Sequence, residues 1–211
     1  MAIIHDAQLH PSKSELLIEW LPSQPWFQGA AATLVRVGAY RFDDPAGEVG
    51  IETHLVAVDG RTYQVPLTYR GAPLAGAQDF LIATMEHSVL GRRWVYDATA
   101  DPVYLGELAA AILTGKPQAV ETLAAAGGGV LPATVQLAST GTPATSDAGL
   151  PDLRCGFPAT TGVITNVPCG AVNFAILREL DTTGTVQHEH SLSARWDGQE
   201  VPVLLAAAIA A

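Results

Sequence analysis

The dipeptide Asp59-Gly60 constrains this chain more than any other feature, because it stands between two extended segments, Val49 to Val58 and Thr62 to Tyr69. Asp-Gly supplies the positive φ angles of a two-residue hairpin turn, so the flanking segments are expected to pair antiparallel. A further extended segment, Leu34 to Phe42, is separated from Val49 by a turn-rich stretch beginning Asp43-Asp44-Pro45-Ala46-Gly47, which extends the pair into a meander. Phe80 to Met85 and Arg93 to Ala98 read as two more strands, the second carrying the aromatic and β-branched residues Trp94, Val95 and Tyr96.

Helix signals bracket the meander. Ser12-Lys13-Ser14-Glu15 has the spacing of a capping box, Leu16, Leu17, Trp20 and Leu21 follow on one helical face, and Pro22 ends the element. Asp101-Pro102 supplies an N-cap and a first-turn proline for a helix over Val103 to Leu113, which Gly115 stops. Gln118 to Ala126 is compatible with another short helix, broken by Gly127-Gly128-Gly129. Ser139 to Pro151 has the composition of a mobile loop or linker. Beyond it, Gly162 to Val167, Ala171 to Leu180, Val186 to Trp196 and Gln199 to Leu205 read as a second antiparallel unit, its last two segments joined by Asp197-Gly198. The apolar run Val203 to Ala211 is about half the ~20 residues needed to cross a bilayer and reads as a final strand or short helix.

The chain of 211 residues is long enough for one domain or two small packed lobes. Its 21 acidic and 11 basic residues give a formal charge of -10, which repels phosphate backbones, and Arg92-Arg93 is the largest basic cluster, so no nucleic-acid partner is expected. The first thirteen residues lack the basic and apolar regions of a secretion signal, and a cytoplasmic, membrane-free protein is expected. In a reducing compartment Cys155 and Cys169 are expected to be free thiols. They also lie symmetrically about Gly162, so a hairpin turning there would bring them face to face, with Pro158 and Pro168 interrupting the ladder.

Reaction motifs are sparse. His188-Glu189-His190 places two imidazoles on one face of an expected strand, but neither a third ligand nor a metal-binding spacing accompanies them, and an exposed polar strand face is the expected reading. Glu86 and His87 are the candidate acid/base pair, with Asp97 and Asp101 further along. They need to converge in a cleft to act, and Asp101 reads equally as a helix cap. The glycine run fits no nucleotide loop, and no serine stands in a nucleophile elbow. Trp26 and Phe27 with Trp94 could form an aromatic platform for a sugar or could pack in the core.

Three blocks, Arg36 to Glu52, Val65 to Gly71 and Glu86 to Ala98, occur in order and together resemble the N-terminal cap domain of actinobacterial maltokinases, and in particular stand-alone cap-like proteins. The resemblance covers about residues 1–115. It implies an α+β fold in which a curved antiparallel, cystatin-like sheet packs with helices, here followed by a second small antiparallel β unit. The organisation expected is a cap-like domain over 1–126, a flexible linker over 127–152 and a β unit over 153–211. Phe174-Ala175-Ile176-Leu177-Arg178 resembles the strand that carries a kinase's ATP lysine, so the last unit is compared with a kinase intermediate lobe. In the family an Arg-Trp-Phe motif is followed shortly by lysine; here Pro25 precedes Trp26-Phe27 and Gln28-Gly29-Ala30 follows, which removes two cations. No His-x-Asp occurs anywhere, so the catalytic loop of a kinase core is missing from the chain.

The resulting expectation is a non-catalytic interaction or regulatory module linked to glucan, trehalose or maltose metabolism, without metal or cofactor. Its expected partner is a protein of sugar metabolism, with a homodimer through exposed sheet edges as a further option. The alternative is a binder of a sugar or sugar phosphate. The residues expected to meet a ligand or partner are Trp26, Phe27, Glu86, His87, Arg92, Arg93 and Trp94. An enzyme is the third reading, and the chain is shorter than the ~250 residues of a typical (β/α)₈ barrel.

Overall fold

The capping box forms as its spacing predicts. In the computed structural model, which describes residues 2–4, 7–124, 129–142 and 153–211, the Glu15 amide donates to Ser12 Oγ at 3.3 Å and the Ser12 amide donates to Glu15 Oε2 at 2.8 Å. After strands β1 (Ala2–Ile4) and β2 (Leu9–His10), this box starts helix α1 (Lys13–Trp20), whose Leu16 and Leu17 are buried. Ser12→Ala is expected to cost about 1 kcal/mol by removing one of the two reciprocal bonds. Urea denaturation with an unchanged slope and a lowered midpoint would report it.

The meander follows as β3 (Val35–Asp43), β4 (Gly50–Val58) and β5 (Arg61–Arg70), then β6 (Leu81–His87) and β7 (Gly91–Asp97). Asp59 and Gly60 take φ of 49° and 80°, the turn that Asp-Gly predicts. The strands are ordered β2-β6-β7-β5-β4-β3. Side chains alternate across β4, and both faces are covered. Val56 and Val58 join Tyr63, Val65 and Leu67 of β5 against Leu16, Leu17, Leu21 and Trp26, while Ile51 and Leu55 face the other core with Tyr40 and Phe42.

That second core also holds helix α2 (Pro102–Thr114). Asp101 caps it by accepting from the Val103 amide at 3.0 Å, and Gly115 closes it at φ 68°, both as expected. Tyr104, Leu105, Leu108 and Ile112 pack there together with Phe174, Ile176, Leu192, Val203 and Leu205 from the C-terminal half.

The rest of the chain departs from the sequence reading in several places. Within Gln118 to Ala126, expected to be helical, Glu121–Leu123 forms strand β8, parallel to β1; residues 125 and 126 lie outside those described. Pro117 and the β-branched Val120 and Thr122 favour extended backbone there. Of the expected linker, residues 127–128 and 143–152 lie outside those described, but Val135–Ser139 is strand β9, with Val135 fully buried. Then come β10 (Ala159–Thr161), β11 (Ile164–Cys169), β12 (Val172–Leu177), β13 (Glu179–Leu180), β14 (Ser191–Trp196) and β15 (Gln199–Ala210). All of these except β13 join β9 in an antiparallel sheet ordered β10-β11-β12-β15-β14-β9. The apolar C-terminal run is therefore a strand. Val186 to His190, expected within a strand, precedes β14 and is exposed.

β13 breaks away from its neighbours and pairs with Thr62 and Tyr63 on the edge of β5 that β7 leaves uncovered. Gln64 Nε2 then donates to the carbonyls of Leu177 and Leu205 at 2.9 and 3.0 Å. The second sheet thus shares a core and a strand edge with the first. Among the described residues the fold is mostly β, a curved antiparallel sheet plus a second sheet with two α-helices, which agrees with α+β only coarsely.

Cys155 and Cys169 form a disulfide, contrary to the expectation of free thiols. The hairpin turning at Gly162 sets them opposite each other as an antiparallel bridge, and the Gly156 amide donates to the Pro168 carbonyl at 2.8 Å, so the two prolines do not prevent the approach. With a sequence separation of 14 residues, the link is expected to contribute about 3 kcal/mol by restricting the unfolded chain. Alkylation of the denatured, unreduced protein should label neither cysteine, and reduction should lower Tm. Labelling of both would contradict the bond.

Candidate ligand-binding groove

One end of the first sheet is open. The β3–β4 turn, the end of β5, the β6–β7 hairpin and the first residue of α1 enclose a cavity of about 880 Å³, whose polar lining includes Lys13, Arg41, Glu52, His87 and Arg93, with Tyr69 beside them. Register explains the grouping. Arg41 lies directly across from Glu52, and Tyr69 sits opposite Gly50 on one side and Val95 on the other. Arg93 is two residues along from Val95 on the same face. Asp44 shapes the rim, its carboxylate accepting from the amides of Ala46, Glu48 and Val49 at 2.8–3.0 Å. Arg70, which also lines the groove, grips Asp101 with two bonds of 2.6 Å, tying β5 to the cap of α2.

Glu52 is the centre of the floor and is only 2% exposed. Lys13 Nζ donates to its Oε2, Arg41 approaches Oε1 at 3.0 Å, Arg36 lies 3.7 Å away, and His54 Nε2 is 3.4 Å from Oε2. Burial alone would raise the Glu52 carboxyl, but His54, Lys13 and Arg41 outweigh it and hold the carboxyl well below the usual carboxylate range. Burial lowers His54 from its ordinary value despite the opposing pull of Glu52. Burial also lowers Lys13, opposed by Glu52. Tyr69, 3.3 Å from His54 Nε2, is pushed well above its ordinary value by burial and then by Glu52.

The residues expected from sequence to meet a ligand are scattered. Trp26 is 2% exposed and packs edge-on against Trp20, beside Tyr63 and beneath the Arg178 guanidinium at 5.3 Å; Phe27 packs on Tyr63. Trp94 pairs across from Arg70, and strand alternation turns it to the face opposite Arg93. None of these three lines the groove, so they do not assemble a sugar platform. Glu86 and His87 are successive strand residues on opposite faces. Glu86 pairs with Arg92 at 2.8 Å on the exposed surface, while His87 Nδ1 accepts from the Val89 and Leu90 amides and the residue borders the groove. Asp97 accepts from Thr99 and Arg178 and acts as a cap with no acid/base partner beside it. Arg178, compared above with a kinase's ATP lysine, is buried and bonded within the protein. His188 and His190 are exposed ahead of β14, and no three metal-ligating side chains come together among the described residues. Lys13, Arg41, Glu52, His54 and Tyr69 were missed. The available signal was the polar pair Glu52 and His54, two residues apart on a strand face otherwise made by Gly50, Val56 and Val58.

Most of the groove is built by residues between Arg41 and Arg93, within a single stretch of known type. Residues 20–101 match the family model of the maltokinase N-terminal cap domain. The match covers less than half of the chain, begins at the last residue of α1 and ends at the cap of α2. It is shorter than the resemblance over 1–115, and it leaves Lys13, α2 and the second sheet outside the cap segment. No curated protein matches the chain. Among the described residues no helix is long and apolar enough to cross a membrane. The cap segment thus carries the groove walls, while Lys13 closes its floor from outside the match.

Proposed function

We propose that this chain is a non-catalytic binding module linked to glucan, trehalose or maltose metabolism, whose groove receives a small polar ligand. The observation that carries the reading is the cavity of about 880 Å³ with Lys13, Arg41, Glu52 and Arg93 converging on it, a volume within the range of small-molecule sites. The cap match supplies the link to sugar metabolism. The non-catalytic part is supported by the state of the candidate groups: Glu52 is held ionised by cations, Asp44 braces its turn, and Glu86 and His87 face apart.

A thermal-shift panel with maltose, trehalose, maltose 1-phosphate, glucosamine, longer α-glucans and Mg-ATP tests it. A dose-dependent rise in Tm with one of these is the expected result, because selective binding to the native state stabilises it by mass action. A flat panel to millimolar concentration would overturn the small-ligand reading.

The protein-partner reading has its own observation. Val89 and Leu90, 56% and 45% exposed, stand on the β6–β7 turn beside the groove. In that reading an enzyme of sugar metabolism docks on this turn, and Val89→Asp abolishes its capture while leaving the ligand panel unchanged.

A further inference from the structure

A second, smaller cavity lies where the two sheets meet, and it shares no lining residue with the groove. It measures about 160 Å³. Trp20, Trp26 and Phe80 border it from the first half of the chain and Thr160 and Thr165 from the second sheet, with Arg178 between them.

Arg178 is 1% exposed, and two of its three guanidinium nitrogens are engaged. Nε donates to Thr165 Oγ1 at 2.7 Å, and NH2 donates to Asp97 at 2.6 Å and to Thr99 at 3.0 Å. NH1 is buried and has no hydrogen-bond partner among the described residues. A buried donor left unpaired is costly, and most such groups in folded proteins find an acceptor. One water would supply it, but the cavity is several times larger than the share of liquid volume that a water takes, about 30 Å³, and three aromatic side chains border it.

Charge decides the class of ligand. The Arg178 cation is already balanced by Asp97, and Asp79, which makes no ion pair among the described residues, adds a second carboxylate to the lining. An anion is repelled by Asp79 and finds no spare cation, whereas a cation meets Arg178. An uncharged molecule carrying hydroxyl groups satisfies both ends, because a hydroxyl oxygen accepts from NH1 and a hydroxyl hydrogen is donated to Asp79. Its C–H surface packs against the aromatic walls.

We infer that this cavity is a binding site separate from the groove, and that it takes a small uncharged polyhydroxylated compound held by Arg178 NH1 and Asp79. Volume limits the ligand to a single ring or a short chain, since the cavity is smaller than the ~300 Å³ at which sites for drug-sized molecules begin.

Fluorescence titration of the full chain tests the site, because Trp20 and Trp26 border it. The probes are glucose, inositol and the anionic gluconate, and hydrogen exchange locates what binds. Glucose or inositol should change the emission saturably and protect residues 159–165, and gluconate should do neither. Asp79→Asn, at an exposed position, should weaken binding about fivefold by removing a charged acceptor. Glu19→Gln, which removes the same charge from an exposed position of α1 outside the cavity, should leave binding unchanged. Thr160→Phe, which fills the cavity from the exposed strand β10, should abolish it. Gluconate binding as tightly as glucose, or affinity indifferent to Asp79→Asn, would overturn the assignment of an uncharged hydroxylated ligand. If neither glucose nor inositol protects residues 159–165 at high millimolar concentration, the cavity holds water only and the inference fails. Protection confined to residues 41–52 would also overturn it, while supporting the groove as the ligand site.

Discussion

Replacing Arg178 with alanine is expected to destabilise the protein by about 3–5 kcal/mol, the usual cost of removing one partner from a buried ion pair. Arg178 is 1% exposed. Its NH2 donates to Asp97 Oδ2 at 2.6 Å and to Thr99 Oγ1 at 3.0 Å, its Nε donates to Thr165 Oγ1 at 2.7 Å, and the guanidinium lies over Trp26. Its backbone makes the same junction, the carbonyl accepting from the Gln64 amide at 2.8 Å. One residue therefore joins the end of β7, the Trp26 cluster and β11 of the second sheet. Truncation leaves the Asp97 carboxylate without its cation. For a chain of this size the loss corresponds to a fall in Tm of roughly 10 °C. Arg178→Lys keeps the charge but not the planar fork and should fall between wild type and alanine. The double variant Asp97→Asn with Arg178→Met should recover part of the loss, because no unpaired charge remains. A loss under about 1 kcal/mol for the alanine variant would mean that the shared core alone joins the sheets.

Glu52→Ala is expected to have an effect of similar size at neutral pH, about 3–5 kcal/mol, since it leaves Lys13 and Arg41 facing each other over a buried floor. Its pH dependence is the sharper test. The carboxyl of Glu52 is held below its ordinary value in the folded protein, so the stability it contributes is complete above the unfolded value of about 4.3. That contribution is lost as pH falls through the lower, folded value. His54 is also depressed in the fold, by burial. Unfolded chains take up that proton near pH 6.5 while the native state resists it, so stability declines as pH drops below about 6.5. Both groups act in the same direction, and Tm should fall in two stages on acidification. His54→Gln should flatten the first stage and Glu52→Ala the second. An unaltered acid limb in Glu52→Ala would show that other carboxylates govern acid unfolding.

Legibility varied with the range of the interaction that decides each element. Helix α1, the Asp59-Gly60 hairpin, β6 and β7, and the Asp101 cap of α2 were all readable, since each rests on contacts within a few residues. β8 was read as helix because its partner β1 lies far away at the start of the chain, and a parallel pairing leaves no turn signal between its strands. β9 was read as linker because this five-residue segment, set between a glycine run and a Ser/Thr/Gly/Pro-rich stretch, has its partner β14 more than 50 residues away. The aromatic residues drew attention to Trp26 and Trp94, but hydrophobic burial took the first into the core and strand alternation turned the second away from the groove.

By itself the sequence determined where helices begin, where hairpins turn and which stretch is of the cap type, because caps, positive-φ turns and strand periodicity are local chemistry. Only the tertiary structure decided which charges meet. Lys13 reaches Glu52 across 39 residues and Arg178 reaches Asp97 across 81. A buried charge requires a counter-charge, but which one satisfies it depends on sheet register and on the packing of α1 and β13, neither of which any short stretch of sequence encodes.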